Sequence, residues 1–127
     1  MKTVKITMDN KISIIDIPFT LDGFYKAIGC ECMETVKTKR MFELFQEPVL
    51  MLVDESGLLK GLDINRAASV LYGFAQHGQP IVGNVIFGQI RGEDIVPPKN
   101  VEKVKSILMD HFWFLEEESG CANTVEE

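Results

Sequence analysis

The chain lacks most of the residues from which small enzymes and metal sites are built. Only two histidines occur in 127 residues, His77 and His111, and no His-Glu-x-x-His pair is present. Cysteine is nearly as scarce: Cys30 and Cys32 are spaced C-x-C, and Cys121 stands far off near the C-terminus. An odd count argues against a disulfide framework, and no second pair completes a four-ligand zinc set. The thiols read as reduced and structural, with no metal and no cofactor. There is neither a Gly-x-Ser-x-Gly elbow nor a Walker loop. Long apolar runs are missing too. The longest, Val49 to Val53, is far short of the roughly 20 residues a membrane helix needs. Met1 to Met8 alternates polar and apolar residues instead of forming the apolar block of a leader. The expectation is a cytoplasmic protein that makes no contact with a membrane.

A basic face is also lacking. Residues 1–92 carry ten Lys/Arg against ten Asp/Glu, whereas residues 93–127 carry three against nine, which places the whole net charge of −6 at the C-terminal end. Duplex nucleic acid demands the reverse, so a duplex-binding role is disfavoured. Glu116-Glu117-Glu118 and Glu126-Glu127 read as solvated tail. The expected organisation is one domain over residues 1–118, followed by an acidic, disordered tail over 119–127.

What is present describes a globular chain, 46% hydrophobic and 25% charged. Lys2 to Met8 and Lys11 to Ile17, separated by Asp9-Asn10, read as an antiparallel hairpin closed by Pro18. Thr20 or Asp22 starts a short helix that Gly29 ends. Cys30 to Met41 reads as a third strand with Lys37 and Lys39 on one face. Pro48 to Val53 has the unbroken apolar character of a strand buried on both faces. After a turn at Asp54-Glu55-Ser56-Gly57, Leu58 to Leu62 reads as a brief return. Asn65 caps a helix from Arg66 to Tyr72, and Ile81 to Phe87 forms another strand, with Gly83 marking a bulge or a close backbone approach. Behind Pro97-Pro98, Asn100 opens a last helix with Val101, Val104, Leu108, His111, Phe112 and Leu115 inward. Trp113 falls opposite and Phe114 at the stripe's edge, and both are assigned to a protein interface. The sum is an α+β fold: a mainly antiparallel sheet of about five strands, two short helices and a longer C-terminal helix. A homo-oligomer is expected.

Catalysis has little to draw on. His77 lies in a Gly-flanked loop and reads as a surface histidine, while His111 reads as a packed core residue. Carboxylate pairs such as Asp54-Glu55 and Glu93-Asp94 fall in turns, where Asp serves conformation. The expectation is that the protein is not an enzyme. Binding centres on Asn65 and Arg66. A cation in the first helical turn opposes the helix macrodipole by about 0.3–1 kcal/mol. Arg66 therefore calls for a partner, with an internal carboxylate (Asp54 or Asp63) ranked ahead of an external anion. Tyr72 and Asn84 complete the candidate ligand-binding set, with Phe74 and Phe87 as further aromatic walls.

Several of these residues carry a family resemblance. Val53-Asp54-Glu55-Ser56-Gly57-Leu58-Leu59-Lys60-Gly61-Leu62, Asn65-Arg66, Leu71-Tyr72-Gly73 and Ile81-Val82-Gly83 resemble a family of small domains of unknown function, encoded mainly by bacteriophages and mobile elements of bacteria. The likeness covers roughly residues 1–98, although Asp63-Ile64 stands where that family typically has a proline-rich pair. The resemblance implies a phage or mobile-element accessory protein working in the host bacterial cytoplasm. By analogy with small phage domains, it implies a counter-defence role through capture of a nucleotide ligand. The alternative is an inhibitor that binds a host defence protein through the acidic C-terminal helix.

Overall fold

The computed structural model describes residues 1–118. The expected tail over 119–127, with Cys121, Glu126 and Glu127, lies outside the described residues. In chain order the elements are β1 (Lys2–Ile6), β2 (Lys11–Asp16), α1 (Leu21–Ile28), β3 (Met33–Val36), α2 (Lys39–Phe45), β4 (Val49–Asp54), α3 (Gly57–Lys60), α4 (Arg66–Tyr72), α5 (Phe74–His77), β5 (Val85–Arg91), β6 (Asp94–Val96), α6 (Val101–His111) and β7 (Glu116–Glu117). The fold is α+β, as the pattern predicts, with seven described strands and more short helices than expected.

The sheet runs β3-β4-β5-β1-β2-β7. Every pairing is antiparallel except the short parallel one between β2 and β7. Strand β5 is the hub. One side pairs with β4 from Val49↔Gln89 to Leu52↔Ile86, while the other takes β1 at Val85 and Ile86, then β6 from Gln89 to Arg91. The sheet carries helices on both faces, and β4 shows why its sequence has no polar alternation. Val49, Met51 and Val53 join a core with residues of α2, α4 and α6, including Met41, Phe45, Leu71 and Leu108. Leu50 and Leu52 point the other way, onto Phe24 and Ile28 of α1. Each such side chain contributes about 1.5–3 kcal/mol over leaving it in water.

Local chemistry explains the helix starts. Thr20, Asn65 and Asn100 accept hydrogen bonds from Gly23, Ala68 and Lys103 amides, so all three expected caps are in place. Thr38 is a fourth cap, accepting from the Met41 amide. It corrects the expected strand over Cys30 to Met41: that segment is extended only from Met33 to Val36, and Lys39 opens a helix whose Met41 and Phe45 enter the core. The return expected at Leu58 to Leu62 is instead the single helical turn α3, with Leu59 exposed at 92%. Before β5, Gly83 adopts φ +82, and a Cβ there would sit 2.9 Å from Leu62 Cδ1. The chain thus bends close under Leu62, and the regular strand starts only at Val85.

The C-terminal segment differs most from expectation. His111 is exposed, because the helix ends there and the chain turns. Phe112 and Leu115, placed on the inward stripe, are buried. Glu116 and Glu117 are not frayed tail but form β7 beside Lys11 and Ile12. Lys11 and Lys105 pair with their carboxylates. The Glu118 charge partly offsets the burial that pushes the Lys5 ammonium below its ordinary pKa.

Candidate functional site

Helix α4 carries the expected site at one end and the candidate cavities at the other. At its start, Asn65 is fully buried. Its Oδ1 accepts from the Ala68 amide at 3.1 Å, and its Nδ2 donates to the carbonyls of Ile6 at 3.1 Å and Gly83 at 2.9 Å. One side chain thus ties the helix to the end of β1 and to the approach to β5, and those bonds engage its oxygen and its amide nitrogen. Arg66 is exposed and meets no carboxylate among the described residues; its guanidinium lies over the Phe114 ring, 4.1 Å from the centroid. The internal pairing ranked first for Arg66 is therefore corrected: neither Asp54 nor Asp63 forms an ion pair with it. Asp54, whose side chain is 1% exposed, takes Lys60 Nζ at 2.7 Å and the Ser56 amide at 2.9 Å. That hydrogen bond holds the Lys60 ammonium above its usual pKa. Asn84 Oδ1 accepts from the Met8 amide, at the hairpin between β1 and β2.

The far end of α4 is open. Gly73, at φ +83, ends the helix, and Gly78, at φ +80, ends the single turn α5. The two reversals bring His77 back onto Tyr72, ring centroids 4.5 Å apart and 25° from parallel. The last carbonyls of α4 are satisfied from outside: Thr38 Oγ1 donates to Leu71 and Arg40 Nη1 to Val70, both at 2.9 Å. Ser69 Oγ donates to the Ile81 carbonyl and accepts from its amide, which fixes the segment after Pro80 alongside.

Two adjoining cavities of about 340 Å³ each result, sharing Lys37, Thr38, Tyr72 and His77 as common wall. The first opens over β3 and the end of β4, with Glu34, Thr35, Val53, Glu55, Leu58 and Gln79 to Val82 around it. The second adds Lys39, Arg40, Gly73 and Gln76. Of the four residues assigned to ligand binding, only Tyr72 lines these cavities; Asn65, Arg66 and Asn84 do not. The interface pair is split as well. Trp113 is 85% exposed in the turn after α6, whereas Phe114 is half-buried beneath Arg66.

Chemically, the paired cavities offer a ring face, four nitrogen-bearing side chains of potential positive charge (Lys37, Lys39, Arg40, His77) and carboxylates on one side only. Thr38, the hydroxyl on the shared wall, is engaged with the Leu71 carbonyl and the Met41 amide. The sequence contained one signal for this site that the periodicity reading passed over. Glycines at 73 and 78 enclose a four-residue turn, which can return residue 77 to residue 72. Cys30 and Cys32 are unpaired, the first buried and the second exposed. Among the described residues no grouping of three or more His, Cys, Asp or Glu is arranged to hold a metal ion, and no helix is long and apolar enough to cross a membrane.

No curated protein and no solved structure shows a significant match to the chain. A family model does match, over residues 1–109, reaching from the first strand almost to the end of α6. The chain belongs to that family, the domain of unknown function DUF3846.

Proposed function

We propose that the protein is a non-catalytic accessory protein that sequesters a small anionic ligand of nucleotide type in the twin cavities at the end of α4. The observation that carries this reading is the Tyr72–His77 stack standing between the two cavities with Lys37, Lys39 and Arg40 beside it. Stacked rings give a flat, sequence-tolerant surface for a base, and a cationic cluster suits a phosphate. Exposed contacts of this kind contribute little each, so retention rests on several acting together. A counter-defence role, suggested by the resemblance to phage and mobile-element domains, suits such binding, because removing a nucleotide signal needs capture and no turnover.

Native mass spectrometry of protein purified from infected or defence-active cells tests the proposal, with Tyr72→Ala purified alongside. A bound mass in the nucleotide range on the wild type, absent from the variant, is the expected result. Bare protein in both, with no uptake from a nucleotide mixture, overturns it. The second reading, a protein-interaction inhibitor, draws on one observation, the exposed indole of Trp113. If it holds, Trp113→Ala abolishes capture of a defence protein and leaves nucleotide uptake unchanged.

A further inference from the structure

The two halves of the site differ in charge, and the difference prescribes how a ligand lies in it. The half that holds Lys39 and Arg40 has no carboxylate on its wall, whereas the half over β3 has Glu34 and Glu55, both exposed, with Gln79 nearby. Asp54 also lies on that side, but its charge is already met by Lys60. Arg40 is exposed, and one guanidinium nitrogen is anchored on the Val70 carbonyl, which restrains the group. The Tyr72–His77 wall lines both halves and joins them.

Resting on the nucleotide reading above, we infer that the site takes one mononucleotide in one orientation. Its phosphate sits with Lys37, Lys39 and Arg40, and its base, one that carries an exocyclic amine, lies toward Glu34 and Glu55. The physical reasons are direct. An ionised carboxylate only accepts hydrogen bonds, so it rewards an N–H at the edge of a base and repels a carbonyl oxygen in the same place. Cytosine, adenine and guanine each present an amino group, whereas uracil presents an oxygen where cytosine has its amine. A second phosphate directed into the acidic half meets like charge, which disfavours oligonucleotides and ligands phosphorylated at both ends.

Cytidine and uridine 5′-monophosphates form a matched pair for calorimetric titration of the full chain, with cytidine and inorganic phosphate as controls. The wild type is expected to favour the cytidine nucleotide over the uridine nucleotide by about ten-fold. It should also bind the nucleotide more tightly than either control. Glu34→Gln combined with Glu55→Gln should abolish the preference. Lys39→Ala should weaken both nucleotides alike, by up to about five-fold, and leave cytidine unaffected. Equal binding of the two nucleotides by the wild type overturns the inference while the nucleotide reading stands. So does a preference that survives the double Glu→Gln change. If neither nucleotide, phosphate nor any member of a wider nucleotide panel binds, the proposed function fails and takes the inference with it.

Discussion

The two ends of α4 contrast sharply although only seven residues separate them. At the first end a short motif, Asn65-Arg66, looks like a site and is used for architecture. Asn65 fastens three segments together, and Arg66 lies across Phe114. At the other end, ordinary-looking residues are left with free surface, because the helix carbonyls are already satisfied by Thr38 and Arg40 and the chain reverses twice. A conspicuous motif marks a demanding local geometry, and that demand is as readily structural as functional. Open surface collects where the backbone's own needs are met by something else.

The contrast can be broken or sharpened by substitution. Asn65→Ala should have the largest effect, a loss of about 2–4 kcal/mol in chemical denaturation, since it removes a cap and two further hydrogen bonds to buried carbonyls. Asn65→Asp keeps the capping oxygen, so near-native stability in that variant would show that the two carbonyl bonds matter little. Arg66→Ala should cost about 0.5–1 kcal/mol, the scale of an exposed cation–π contact, and leave ligand retention intact. Loss of the ligand without loss of stability would move the site back to the helix start. His77→Ala should have the converse profile, a change within about 0.5 kcal/mol in stability, as for most exposed positions, and a clear drop in ligand affinity. The smallest effect concerns pH. The Lys60 ammonium is held above its ordinary value by Asp54. Its contribution is therefore fully present below the lysine value of the unfolded chain and is lost as pH rises through the folded value. Thermal melting followed from neutral to strongly alkaline pH should show that decline, and Lys60→Met should flatten it.

Much of the frame was legible because its causes are local. The hairpin, the apolar run of β4 and the caps at Thr20, Asn65 and Asn100 each depend on residues within a few positions of one another. Thr38 was legible in principle, with Met41 and Phe45 at helical spacing behind it, but the alternation through Val36 obscured it. The site at Tyr72 and His77 was less accessible. Its walls come from β3, the end of β4, the α4–α5 reversal and residues 79–82, and no spacing rule links those segments. The fate of Glu116 and Glu117 was hidden for a similar reason, since their partners Lys11 and Lys105 are remote in sequence. The partner of Asp54 had a simpler explanation: Lys60, six residues on at the end of α3, lies nearer in sequence than Arg66.

The sheet's two margins are unequal. One is capped by β7, which lies against β2, while β3 borders only β4 among the described strands. Growth of the sheet, by exchange between molecules or by misassembly at high concentration, therefore has a natural starting line at β3, the longer of the two end strands. Glu34, exposed within that short border, and Lys37, just past its end, serve as charged deterrents there. Neutralising both should make the protein self-associate long before it unfolds.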